Sequence, residues 1–395
     1  MDAIEQFRQE TRGWLEANCP ESQRQPILPE DQFWGGDRHQ FVSEDAKVWY
    51  QRMRDKGFIV PDWPKQYGGA ELDVQQVKVL EGELKRINAR RALYGLGIWM
   101  LGPALLEYGN EEQKFEHLNR IVQGGARWCQ GYSEPGAGSD LASLQCKAED
   151  KGEHFLVNGS KIWTTKADLC NWIFCLVRTN PDVKKQEGIS FLLIDMHDPG
   201  VSTTPIVLIS GESEFCQTFF DNVKVPKKNL VGELNKGWSV AKALLKHERK
   251  LMSELSSENP RANYAPRDAA KGFMAFENGK LADGKARSEL VNYEMDAQAV
   301  ALTHQRVYEE NKAGAQSSVP MIMKYVGTEL DKRRCELNMA LLGSQGMCFE
   351  GDSFTDLEKS STVAWAMSKT TTIAGGSSEV QLNIISKRVL GLPES

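Results

Sequence analysis

Apolar residues recur at helical spacing over the first 125 or so positions, then change to short apolar runs until about 232. From there to the C-terminus the helical spacing returns. The opening MDAIEQFRQETRGWLEANC predicts an amphipathic, acidic helix. Glu44 to Gly57 sets Ala46, Trp49 and Met53 on one face, with Gly57 as the stop. Pro61, Pro64 and Gly68-Gly69 make a loop. The helical period resumes from Asp73 to Arg91 through Val74, Val77, Leu80 and Leu84, and Pro103 opens a stretch that breaks at Tyr108-Gly109. Runs at Phe155–Val157, Trp172–Arg178, Ile189–Asp195, Val201–Val207 and Phe215–Val225, parted by Gly, Pro and Asn turns, predict a small β-barrel or sandwich. Beyond Gly237-Trp238, one helical face carries Leu290, Tyr293, Ala297, Ala301 and His304. A second, long one carries Ile322, Val326, Leu330, Leu337 and Leu341. The polar, Gly-rich stretch after Pro260 and Pro266 reads as a loop with one short helix. Helices, strands, helices is the order of an α+β protein. The expected domains are an N-terminal helical one (1–125), a central β domain (126–232) and a C-terminal helical one (233–395).

Composition narrows the function classes. At 395 residues, 41% hydrophobic and 26% charged, the chain reads as an ordinary globular protein. A net charge of −6 with scattered lysines and arginines argues against a nucleic-acid partner. No apolar run approaches the roughly 20 residues that span a bilayer, and the N-terminus lacks the basic and apolar regions of a signal peptide. The eight cysteines form no CxxC pair and the six histidines stand apart, so the reading is reduced thiols, no metal and a cytoplasmic setting.

The densest chemistry lies in residues 128–165. Ser133-Glu134-Pro135-Gly136-Ala137-Gly138-Ser139-Asp140 is a tight polar loop in which Pro135, Gly136 and Gly138 turn the chain and bring backbone N–H groups towards a ligand. A strand, a turn and a second strand follow, ending in Ile162-Trp163-Thr164-Thr165. Ser133, Ser139 and Thr165 offer hydroxyls for the edge of a heterocycle, and Trp163 a flat apolar wall. Each hydroxyl taken singly reads equally well as a turn or strand cap.

The string SEPGAGSD followed by NGSKIWTT resembles the two signature segments of the acyl-CoA dehydrogenase family. GPALLEYGNEEQK, FFDNVKVPKKNLVGELNKGW and IAGGSSEVQLNIISKRVLGLP extend the resemblance from about residue 40 to the C-terminus. It implies a helical, β and four-helix-bundle-like arrangement, usually tetrameric. It also implies FAD as cofactor, an acyl-CoA substrate and an electron-transferring flavoprotein as electron acceptor. Tyr132, Ser133 and Thr165 would lie beside the isoalloxazine, with Trp163 packed against it, and Ser139 at the turn holding cofactor and CoA. Gly376, Ser377 and Glu379 would meet the diphosphate and ribose across a subunit boundary, and Gln345 and Gly346 would approach the adenine end.

Removing an α-proton from a thioester needs a carboxylate base in a dry site with its pKa raised, and hydrogen bonds to the thioester oxygen. Many members carry that base near the C-terminus, where this chain has Gly375. Others carry it in a Glu-Arg pair soon after the β domain, and here that place reads Lys246-His247-Glu248-Arg249. The resemblance therefore implies Glu248 as base with Arg249 placing it, against the alternative of a carboxylate on a charged helix face; Glu254 is the weaker candidate. Gly375 would keep the backbone N–H that bonds the thioester oxygen and leave a larger pocket, suited to a bulky acyl group. The family's Arg-x-x-Phe-Gly element has no match over residues 250–290, where Arg261, Arg267 and Lys271-Gly272-Phe273 come nearest. That departure opens a second reading: one subunit, flavin-holding or structural, of a heterotetramer with a paralogous chain acting on steroid-derived thioesters. A third is an oxidase on the same fold.

Overall fold

The computed structural model describes residues 2–25, 27, 31–38, 40–245, 264–315 and 317–393. They form two compact units, one drawn from 1–206 with 213–251, the other from 207–212 with 252–395.

The first unit begins with helices. α1 (Ala3–Asn18) buries Leu15, α2 (Glu44–Asp55) buries Trp49, Tyr50 and Met53, and α3 (Val74–Arg86) buries Val79 and Leu80. Ser43 caps α2 by accepting from the Ala46 N–H, and Asp73 with Gln76 closes a reciprocal box at the start of α3. α3 ends at Arg86, short of the expected Arg91, because Asn88 takes φ +53 and turns the chain out of the helix. Its buried face also includes a charge. Glu83 lies among Arg8, Arg12 and Arg86, accepting two bonds from Arg12 at 3.0 and 2.9 Å and one from Arg86 at 2.6 Å. The arginines, Arg12 foremost, hold its carboxyl down at about 2, against the opposing effect of burial. Two wide helical turns, Gly97–Leu101 and Lys114–Leu118, run into α4 (Gly102–Tyr108) and a short helix, α5 (Asn119–Val122).

An eight-stranded sheet follows: β1 (Trp128–Gly131), β2 (Lys147–Asp150), β3 (His154–Thr165), β4 (Trp172–Arg178), β5 (Ile189–Asp195), β6 (Val201–Ile206), β7 (Phe215–Pro226) and β8 (Leu230–Val231). Its order is β6-β7-β3-β2-β4-β5-β8, with β1 parallel to β4. β4 is buried along its whole length, as a continuous apolar run in a central strand should be. The sheet closes on Cys129, Phe155, Val157, Ile173, Cys175, Leu192, Ile194, Phe220 and Val223. All eight cysteines are free and buried. Gly159 (φ +141) lets β3 pass close to Cys146, whose Cα would lie 2.8 Å from an added Cβ. His117, 1% exposed, sits edge-on to Trp128 and Trp172, and its Nδ1 meets no partner among the described residues.

The second unit is helical. α6 (Pro266–Phe273) leads into a two-strand hairpin (Phe276–Glu277 with Lys280–Leu281), then α7 (Gly284–Lys312), α8 (Pro320–Leu342), α9 (Asp356–Thr371) and α10 (Ser378–Ile384). The stretch expected as loop with one short helix thus also folds a hairpin. Ala269, Ala270, Leu281, Leu337 and Leu341 make its core, with Leu290 and Tyr293 packed on it. Ala301 and His304, expected on the inner face of α7, are exposed, whereas Val300, Thr303 and Val307 are half-buried. Over eight turns the buried stripe drifts off the spacing read near Leu290.

Candidate functional site

The loop opened by Ser133 is built on a tight turn. Glu134 and Ala137 exchange backbone hydrogen bonds of 2.9 and 3.0 Å. Gly136 and Gly138 have no left-handed φ, and an added Cβ at either would meet nothing within 4 Å. Their contribution is a bare loop surface rather than a backbone that only glycine adopts.

Three buried charges hold this loop from below. Glu134, 8% exposed, accepts from the Gln145 N–H at 2.6 Å, the Cys146 N–H at 2.8 Å and Lys161 Nζ at 2.7 Å. Lys161, fully buried on β3, also donates to the Tyr132 carbonyl at 3.2 Å. Arg178, at the end of β4, donates to the carbonyls of Ala142, Leu144 and Lys185, and burial lowers its pKa. None of the three was singled out from sequence. The available signal was Lys161 at an inward position of an alternating strand.

β3 brings the candidate residues to this loop. The Ile162 N–H donates to the Ser133 carbonyl at 2.9 Å, so Ser133 lies against the strand that carries Trp163 and Thr165. The pairing of β3 with β7 slips between Lys161 and Thr164, and Trp163 in that slip has φ +60. Its indole is 52% exposed and edge-on to Phe215 at 6.0 Å, while Thr164 turns inward to Cys216 and Thr218. A bulky residue in the left-handed region is uncommon and worth 1–3 kcal/mol of strain in order of magnitude. Tyr132 is buried, edge-on to Phe174 and Phe191. Ser139 is exposed, Ser133 and Thr165 half-exposed, and none of the three hydroxyls has a hydrogen-bond partner among the described residues.

This arrangement fits a flat polar heterocycle: an exposed indole wall held in a strained pose, open hydroxyls beside it and an uncluttered loop. A flavin has that shape and edge chemistry, and FAD fits the residues present.

In the second unit, Gln345 and Gly346 lie in the turn Gly343–Met347, with Gly346 buried and its carbonyl accepting from Thr362. Gly375 is exposed with φ +68, a conformation that suits glycine. Lys324 secures the following residue, donating to the Gly376 carbonyl at 2.7 Å and to Thr372 at 3.3 Å. Ser377 caps α10 through the Val380 N–H. Ser378 next to it donates to Glu329 at 2.7 Å. The Glu379 carboxyl is exposed and drawn below its usual range by its own backbone N–H and the Ser377 hydroxyl. Gly375, Gly376, Ser377 and Glu379 are therefore gathered around the start of α10, whose first N–H groups are taken by the Thr372 carbonyl, the Glu379 carboxyl, the Ser377 hydroxyl and the Ser377 carbonyl. Arg267 is committed to Glu294 at 3.0 Å, and Phe273 packs on Tyr264. Glu248, Arg249, Glu254 and Arg261 lie outside the described residues.

Family models described as the N-terminal, middle and C-terminal domains of acyl-CoA dehydrogenase match residues 2–125, 129–223 and 235–390. The acyl-CoA dehydrogenase IpdE1 of Mycobacterium tuberculosis is 32% identical over 393 residues, covering 100% of this chain and 99% of that one. Among solved structures, the Tcur3481-Tcur3483 steroid acyl-CoA dehydrogenase is similar at a TM-score of 0.75 and 28% identity, over 100% of this chain and 99% of that one. The ChsE4-ChsE5 complex from Mycobacterium tuberculosis is similar at 0.71 and 27%, with the same coverage.

Proposed function

This chain belongs to the acyl-CoA dehydrogenase family and is an oxidoreductase, and we propose that it desaturates a bulky acyl-CoA thioester to its trans-2-enoyl form with Glu248 as base. The observation that carries the flavin half of this reading is Trp163, exposed and left-handed beside Ser133 and Thr165. Bound FAD would accept the hydride from the β-carbon at N5. The protein's share is to hold and orient. Ser133 would bond the pyrimidine edge, Thr165 would stand near N5, Trp163 would cover the ring, and Tyr132 and Ser139 would shape the loop around it. Across a subunit boundary, Gly376, Ser377 and Glu379 would serve the diphosphate and ribose, and Gln345 and Gly346 would approach the adenine end.

Glu248 would take the α-proton, with its pKa raised by a dry pocket and Arg249 orienting it. The Gly375 N–H would bond the thioester oxygen as negative charge develops there. The absence of a side chain at Gly375, and the likeness to a steroid acyl-CoA dehydrogenase, support a bulky or steroid-derived acyl group. The reading includes a cytoplasmic setting, electrons passed to an electron-transferring flavoprotein, and three domains bounded at 1–125, 126–232 and 233–395. Its test is the Glu248→Gln variant: bound flavin is retained and bleaching by acyl-CoA is lost. Full turnover in that variant refutes the assignment.

A second reading is favoured by the missing Arg-x-x-Phe-Gly element and by the likeness to the ChsE4-ChsE5 complex. In it the chain is one subunit of a tetramer with a paralogous chain. A homotetramer that turns over alone excludes it.

A further inference from the structure

We propose that the buried Glu134–Lys161 ion pair is the positioning device of the flavin site, setting Trp163 outward and locking the Ser133 loop to its strand. The inference rests on the flavin reading above.

In a regular strand, residues i and i+2 point the same way and i+1 the other. Lys161 points inward and is fully buried, so a regular β3 would turn Trp163 inward and Thr164 outward. The reverse is found. Thr164 is fully buried and bonded at 2.8 Å to both Cys216 and Thr218, while Trp163 is half-exposed. Two inward anchors three residues apart cannot both be met by a regular strand. The chain meets them with the slip against β7 and the left-handed backbone at Trp163. Thr164 is one anchor; Lys161, drawn inward by Glu134 and the Tyr132 carbonyl, is the other.

Glu134 works on the other segment. Its carboxylate takes three hydrogen bonds, from Gln145, Cys146 and Lys161, so the loop's two ends and β3 converge on one side chain. A buried pair of this kind is often no more stabilising than an apolar pair of the same volume. Its presence under a loop and a strained aromatic wall is therefore better explained by geometry than by stability. Neither residue reaches the exposed face that carries the Trp163 indole, so both act through other groups.

The experiment uses full-length protein stripped of flavin, read by thermal melting and by FAD titration. Wild type binding FAD is the control; if it binds none, the flavin reading fails and not this inference. Glu134→Gln and Lys161→Met each leave a buried charge unpaired and lower the melting temperature by about 10 °C. The double variant removes both charges and regains part of that loss, the amide oxygen being a single acceptor for the Gln145 and Cys146 N–H groups. The expected result is that its FAD dissociation constant stays at least about tenfold weaker than wild type. Recovery of both melting temperature and FAD affinity overturns the proposal, since the pair would then be structural only. Hydrogen exchange on wild type gives a reading that no folding defect can obscure. The Ile162 and Cys146 amides should be as protected without FAD as those of β4, and free exchange at these two before FAD is added overturns it equally.

Discussion

At the scale of single residues, Trp163 is where backbone geometry and the proposed chemistry meet. A left-handed indole costs the fold and is half in solvent, so its removal should cost little stability. Trp163→Gly is expected to change unfolding free energy by no more than about 1 kcal/mol and to weaken FAD binding about tenfold, the worth of one aromatic stacking contact. Calorimetry of both quantities on the same preparation checks this. His117 makes a different point. Burial pushes its pKa down to about 4 from 6.5, aided by Lys228 and Arg120 and opposed by Glu116, so the folded protein holds it neutral. The unfolded chain binds a proton that the folded one refuses between those values. Stability is therefore whole above pH 6.5 and falls as the pH drops towards 4, by about 3 kcal/mol from this group. His117→Phe should flatten that limb of the pH–stability curve.

At the scale of elements, legibility followed how local the determinant is. β4 and β5 begin and end at the residues expected, Trp172–Arg178 and Ile189–Asp195, because a strand buried over all or nearly all its length writes itself as a mostly apolar run. α3 stops five residues before the expected Arg91 because an asparagine can enter the left-handed region, and nothing in the apolar period marks that it does. The face expected on α7 holds at Leu290, Tyr293 and Ala297 and is lost at Ala301 and His304. Within the candidate site, Ser133, Trp163 and Thr165 were visible as residue types that suit a heterocycle, and β3 sets the latter two against the Ser133 loop. Glu134, Lys161 and Arg178 were not visible. A charge in a sequence reads as surface until topology shows which partner lies across from it, and Glu134 and Lys161 are 27 residues apart in sequence. Glu83 was hidden for the same reason, since its partner Arg12 comes from another helix. Glu83→Gln should lower stability by about 2 kcal/mol at neutral pH. Because the carboxyl sits near 2 rather than 4.5, the gap between variant and wild type should close as the pH falls through that interval, which denaturant titration at several pH values would show.

Taken whole, the chain matches one family in all three of its domains. The three family matches and a relative aligned over 100% of the chain place it in the acyl-CoA dehydrogenase family. Base, acyl group and assembly are the proposal's own. In anaerobic mixing, Glu248→Gln should keep its flavin spectrum and slow bleaching by acyl-CoA at least about a hundredfold, the scale of a lost general base. All of this chemistry depends on one earlier step, that this chain completes a flavin site. The visible absorbance spectrum of the purified chain, titrated with FAD and read as FAD per polypeptide, tests it most directly. About one FAD per chain is expected. A chain that stays colourless in excess FAD contradicts it.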